Sequence, residues 1–78
     1  MKYEREVFLN NLKDTFSLDN IRGDEVFRDV IENYDSLKGF TIISMVEEDY
    51  GIIIDLEKYK SMVTFNDILF FIEASLPR

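Results

Sequence analysis

The chain reads as an all-α fold, with three principal helices and one short helix around a core rich in Phe and Ile. Three observations predict it. Apolar residues recur at helical spacing in three stretches. Capping residues (Asp35 or Ser36, Asp55, Thr64) stand ahead of the second, third and fourth helices. The β-branched run Ile52-Ile53-Ile54, which alone would suggest a strand, has no evident partner elsewhere in the chain. Seventy-eight residues give room for a single domain spanning 1–78. A domain of that size buries only roughly 60% of its unfolded surface. Its seven Phe and four Tyr therefore matter, since each removes a large area from water.

The first helix is predicted over 2–16, with Val7, Phe8, Leu12 and Phe16 on its apolar face and Glu4, Arg5, Lys13 and Asp14 on its wet side. Ser17, Asp19, Asn20 and Gly23 break that pattern. Residues 17–35 form a long connection carrying Leu18, Ile21, Val26, Phe27, Val30 and Ile31, so it must lie on the core, with room for a helical turn around Glu25–Ile31. A second helix follows from about Leu37 to Tyr50, with Ile42, Ile43, Val46 and Tyr50 as its stripe. Gly51 stands where a left-handed residue would end it. Gly39 weakens its first turns by up to ~1 kcal/mol relative to Ala and removes bulk beside Ser36. Ile52–Ile54 reads as an extended connector, followed by a short helix from Leu56 to about Met62 behind Asp55. Thr64-Phe65-Asn66-Asp67 has the form of a capping box. It opens a last helix whose apolar face is Phe65, Ile68, Leu69, Ile72 and Leu76, and Pro77 marks its end.

The chain has no His and no Cys, which excludes Ser-His-Asp and Cys-His catalysis, thiol redox chemistry, disulfides and ordinary zinc sites. The Asp and Glu residues form no EF-hand pattern, and so short a chain leaves little room for a pocket in which carboxylates could do acid–base work. A net charge of -7 argues against nucleic acid and anionic membranes and favours basic patches on other proteins. The longest apolar run, Ile68 to Ile72, is too short to span a bilayer, and no signal-peptide pattern opens the chain. A cytoplasmic monomer without metal is the expectation.

The join between the long loop and the second helix holds Tyr34-Asp35-Ser36-Leu37. A hydroxyl at a helix N-terminus is well placed to carry a phosphate group, since free N–H groups and the helix dipole both favour negative charge. Ser and Asp are also ordinary caps.

From this point the chain resembles an acyl carrier protein of the phosphopantetheine-binding family. The resemblance rests on Asp35-Ser36-Leu37, Ile42, Ile43, Val46-Glu47-Glu48-Asp49-Tyr50-Gly51, Ile54-Asp55, Val63-Thr64-Phe65, Asp67, Ile68 and Ile72. It needs no gap from Asp35 to Ile72 and covers about residues 30–75. It implies a four-helix bundle of acyl-carrier type with a long first loop, and a carrier rather than an enzyme. A phosphopantetheinyl transferase would attach 4′-phosphopantetheine from coenzyme A to Ser36. The thiol of that group would hold an acyl group as a thioester for ligases, synthases or acyl-transferring enzymes of fatty-acid or specialised, polyketide-type biosynthesis.

The resemblance further implies partner recognition by Asp35, Leu37, Phe40, Thr41, Glu47 and Glu48, the acidic pair meeting basic docking patches. It implies an acyl-lining core of Ile42, Ile43, Val46, Tyr50, Ile54 and Ile68. Several positions depart from the family pattern. Asn33 replaces a usual Gly, although Asn tolerates a left-handed backbone. Glu32 stands where an apolar residue is usual, with Ile31 one position earlier, and Tyr34 replaces a small residue. Lys38 and Thr41 fall where acidic residues often extend the recognition face, so the partner set should differ from that of a general fatty-acid synthase. The alternative is an unmodified helical interaction module that docks through Tyr34, Phe40, Phe70 and Phe71.

Overall fold

The computed structural model describes residues 2–76. Its helices are α1 (Arg5–Phe16), α2 (Phe27–Val30), α3 (Ser36–Tyr50), α4 (Leu56–Ser61) and α5 (Phe65–Ser75), with no strand among the described residues. The turn expected within the long connection is α2. None of the helices is long and apolar enough to cross a membrane. Pro77, expected to stop the last helix, lies outside the described residues.

Local chemistry sets most helix ends. Asp35 accepts a hydrogen bond from the Lys38 N–H at 3.0 Å, and Asp55 one from the Lys58 N–H at 2.8 Å. Thr64 and Asp67 form the reciprocal capping box of α5. Gly51 closes α3 with φ 69°, its N–H donating to the Glu47 carbonyl. The start of α1 departs from the sequence pattern, which placed it at Lys2. Helical geometry begins at Arg5, and Glu4 is extended without a side-chain cap. The reason is tertiary. The Tyr3 ring stands edge-on to Tyr50 at 5.4 Å, and its hydroxyl donates to Glu73 at 2.6 Å. Burial and that bond raise the Tyr3 pKa, so the phenol stays protonated.

One core joins all five helices. Phe8 and Leu12 of α1, Phe27 of α2, Ile42 and Val46 of α3, and Phe65, Ile68, Leu69 and Ile72 of α5 have no exposed surface, and Tyr59 of α4 is almost fully buried. Among the described residues no charged side chain is buried with them. The long connection lies on this core through Ile31, Leu18 and Ile21, as its apolar content requires. Val30 points outward, as does Ile53 in the connector after α3. The connection is fixed to α5 by an antiparallel bridge between Val26 and Thr64. There Phe27 N–H donates to Val63 and Phe65 N–H to Glu25, each at 3.2 Å.

Two carboxylates hold this junction. Asp67 accepts from the Val63 and Thr64 N–H groups at 2.7 and 3.0 Å. The backbone bonds, that of Thr64 foremost, hold its carboxyl below the ordinary value. Burial works against ionised Glu25, but the N–H groups of Arg22 and Gly23 outweigh it and lower that pKa too. A lowered folded pKa stabilises the fold fully above the unfolded value, and the contribution disappears as pH falls through the folded value. Asp67→Ala should therefore cost about 1–2 kcal/mol in urea denaturation at neutral pH. The gap to wild type should shrink as pH falls from the unfolded Asp value of about 3.9 through the lower folded one; an equal gap at pH 7 and pH 2 would contradict this account.

The Tyr50 hydroxyl is buried without a partner among the described residues, and burial, with the Asp49 charge adding, raises its pKa. Tyr50→Phe removes only that hydroxyl. It should leave stability unchanged or raise it by about 1 kcal/mol, read from the denaturation midpoint; a clear loss would show that the hydroxyl is satisfied.

Candidate functional site

Ser36 opens α3 and is exposed. The cap is made by Asp35, so it does not occupy the Ser36 hydroxyl. The chain enters the helix through Asn33, which is left-handed at φ 55°, and Lys38 Nζ donates to the Asn33 carbonyl at 3.0 Å. The Asn tolerance for this conformation replaces the glycine that such a turn would otherwise favour. The hydroxyl thus stands at the positive end of a fifteen-residue helix, held on both sides by side-chain bonds to backbone.

One stripe of α3 faces solvent. Leu37 is 73% and Phe40 50% exposed, and Thr41, Glu47 and Glu48 follow on the outside of the helix. Thr41 Oγ1 donates to the Leu37 carbonyl at 2.9 Å. The opposite stripe, Gly39, Ile42 and Val46, is buried.

Ser36 also lies on the edge of an apolar groove of about 180 Å³ between α3 and α4. Phe40 and Leu56, both half-exposed, form its rim, and Gly39, Ile43 and Tyr59 lie deeper. The hydroxyls of Tyr34 and Tyr59 meet there at 2.7 Å. Burial, followed by this bond, raises the Tyr59 pKa. The Arg28 guanidinium lies 4.5 Å from the centre of the Phe27 ring, 5.3 Å from that of Tyr59 and 5.7 Å from that of Tyr34. Its N–H groups donate to the carbonyls of Met62 and Tyr59. Such stacking, with two hydrogen bonds to backbone, fixes the rings as well as the cation.

Of the residues expected to line an acyl site, Ile43 alone reaches this groove. Ile42, Val46, Ile54 and Ile68 lie in the closed core, and Tyr50 packs on Tyr3 and Phe8 at the other end of α3. Tyr34, Tyr59 and Arg28 were not legible as a unit. The signals were the aromatic at position 34 and the missing bulk at 39, but Tyr59 is 25 residues from Tyr34 and Arg28 carried none. A larger recess of about 350 Å³ lies between α4 and α5 beside Phe70 and Phe71. Its Asp67 is engaged in the α5 cap, and Lys58 lies over the Phe71 ring. Among the described residues no cluster of three or more acidic, His or Cys side chains could hold a metal ion.

Compared with family models, curated proteins and solved structures, the chain matches none.

Gly39 is where the groove meets the helix. A Cβ there would lie 2.8 Å from the Tyr34 hydroxyl and 3.2 Å from Cε2 of Tyr59. An exposed helical Gly→Ala change normally gains about 1 kcal/mol. Here Gly39→Ala should instead destabilise by roughly 1 kcal/mol, and a double-mutant cycle should show at least half of that cost removed in a Tyr34→Phe background. The same cost in both backgrounds would mean that the Tyr34 hydroxyl is not what excludes a side chain.

Proposed function

We propose that this chain is an acyl carrier protein with the four-helix bundle of that family, α2 being a turn of its long first loop. Ser36 carries 4′-phosphopantetheine. The observation that carries the reading is the exposed Ser36 at the start of α3, capped by its neighbour and flanked by exposed Leu37 and Phe40. A buried Ser36 would have opposed it. The residues fit the group. N–H groups at the helix start and the nearby Lys38 suit a phosphodiester, and the groove gives an apolar surface next to the attachment point.

On this reading the chain supplies position and recognition, not catalysis. A transferase joins Ser36 Oγ to the phosphorus that bears the pantetheine arm of coenzyme A. The pyrophosphate bond breaks, the nucleotide leaves with the other phosphate, and the hydroxyl proton passes to a base outside this chain. The attached group supplies a thiol that holds the acyl group as a thioester. Asp35 fixes the helix start, and so the direction of the Ser36 side chain. Leu37, Phe40 and Thr41 give a docking partner an apolar contact, and Glu47 and Glu48 pair with its basic residues.

The partners are a phosphopantetheinyl transferase and ligases, synthases or acyl-transferring enzymes of fatty-acid or specialised acyl pathways. Lys38 and Phe40 near Ser36 favour a partner whose surface there is less basic than one built for an all-acidic face. The exposure of Phe40 and Phe70, 50% and 55%, favours a second reading, an unmodified interaction module on the same fold.

Mass spectrometry separates the two. After incubation with coenzyme A and a broad-specificity phosphopantetheinyl transferase, wild type should gain one phosphopantetheine per chain and Ser36→Ala none. No gain on wild type, or the same gain on the variant, would remove the carrier reading.

A further inference from the structure

We infer, resting on the carrier reading, that the cargo held on Ser36 is a compact apolar acyl group, of about six carbons or fewer, seated in the groove between α3 and α4, with the Tyr34–Tyr59 hydroxyl pair as the stop that sets its length. Four features of the groove lead there. It begins at Ser36 itself, so a tethered group reaches it by folding back along its own flexible arm. Its volume of about 180 Å³ is close to that of the ~150 Å³ apolar cavity that takes up benzene, which is room for roughly six heavy atoms.

Its inner residues are fixed. Tyr59 is 5% exposed, the two hydroxyls bond at 2.7 Å, and Arg28 holds the carbonyls of Tyr59 and Met62 beneath the rings. Beyond them Phe27, Ile42, Val46, Phe65 and Ile68 are wholly buried, and a close-packed core resists the entry of a longer chain.

The wall also discriminates by polarity. The pantetheine arm has amide and hydroxyl groups that would lose hydration against Phe40, Ile43 and Leu56 without gaining partners. The acyl end is the part that gains by leaving water. A cargo with a terminal carboxylate is not favoured: the exposed wall is almost wholly apolar, and of the two cations that line it Arg28 donates to backbone carbonyls and Lys60 is paired with Glu57. The expected acyl-lining residues of the closed core are therefore not the cargo site; the site is the groove outside them.

The test uses the intact chain loaded at Ser36 from coenzyme A and from its acetyl, butyryl, hexanoyl and dodecanoyl thioesters, with loading confirmed by mass. Melting temperature and the rate of thioester cleavage by hydroxylamine are then read for each form. Butyryl and hexanoyl forms should melt several degrees above the unacylated holo form, and their thioesters should be cleaved at least threefold more slowly than the acetyl one. The dodecanoyl thioester should be no better protected than acetyl. Tyr34→Leu removes the stop and should move the best-protected length upward, whereas Ile43→Phe fills the groove and should abolish protection. Equal protection of dodecanoyl and hexanoyl would overturn the size limit, and butyryl and hexanoyl forms that melt no higher than the unacylated holo form would overturn the seating of the cargo, each leaving the carrier reading intact. No loading at Ser36 would remove the carrier reading, and this inference with it.

Discussion

The Phe27 ring is the contact on which the rest of the structure depends. It has no exposed surface, and it meets the rings of Tyr34, Tyr59 and Phe65 with centroids 5.6–6.0 Å away. Arg28 covers one side of it. These partners come from the end of the long connection, from α4 and from α5, so the ring is the point at which the three segments meet. A connection of this length would be mobile without such an anchor. With it, the backbone on either side can pair with the start of α5 through Val26 and Thr64. The same anchor sets Tyr34 against Tyr59, the two hydroxyls require a residue without a side chain at 39, and Gly39 lets α3 approach them. The position of Ser36 is thus fixed from Phe27 outward.

This core contains no charged group, so the negative charge is carried wholly outside it. Its acidic side chains divide by what they touch. Asp35, Asp55, Asp67 and Glu25 satisfy backbone N–H groups at helix starts and at the loop junction. Glu73 ties the start of α1 and the segment before it to α5, through Arg5 and Tyr3. The ion pairs of Arg22 and Lys60 are exposed and contribute little. Glu47 and Glu48 remain in solvent at the end of α3. Charge therefore determines the local ends of helices and the outer field, while aromatic packing determines the fold.

The same division explains what could be read from sequence. The starts of α3, α4 and α5 and the glycine after Tyr50 were legible because a cap is a contact between residues three or four apart. The location of Ser36 followed from them. The start of α1 was not legible, because Tyr3 is drawn out of the helix by Glu73, seventy residues away. Val30 and Ile53 show the converse limit, since an apolar side chain between core elements can face water when the backbone on either side is already pinned. The Val26–Thr64 bridge joins single residues without a strand pattern around them. The groove beside Ser36 is the sum of four separate segments, each unremarkable alone, and only the assembled fold brings them together.

Within α3 the two kinds of constraint meet on one helix. Its inner stripe is restricted by close packing, down to the absence of a side chain at 39, so the axis of the helix is set by the core. Its outer stripe is free of that restriction, and yet it holds Leu37 and Phe40 rather than polar residues. Two large apolar side chains beside an exposed serine have no packing reason within this chain; with Leu56 across the groove they make a small apolar surface centred on Ser36. Such a surface costs solubility in a free monomer and gains when a partner covers it. The fold accounts for the residues beneath Ser36, whereas its packing does not account for the apolar character of those around it. The boundary between the two runs along the Tyr34–Tyr59 pair, whose rings belong to the core and whose hydroxyls close the groove.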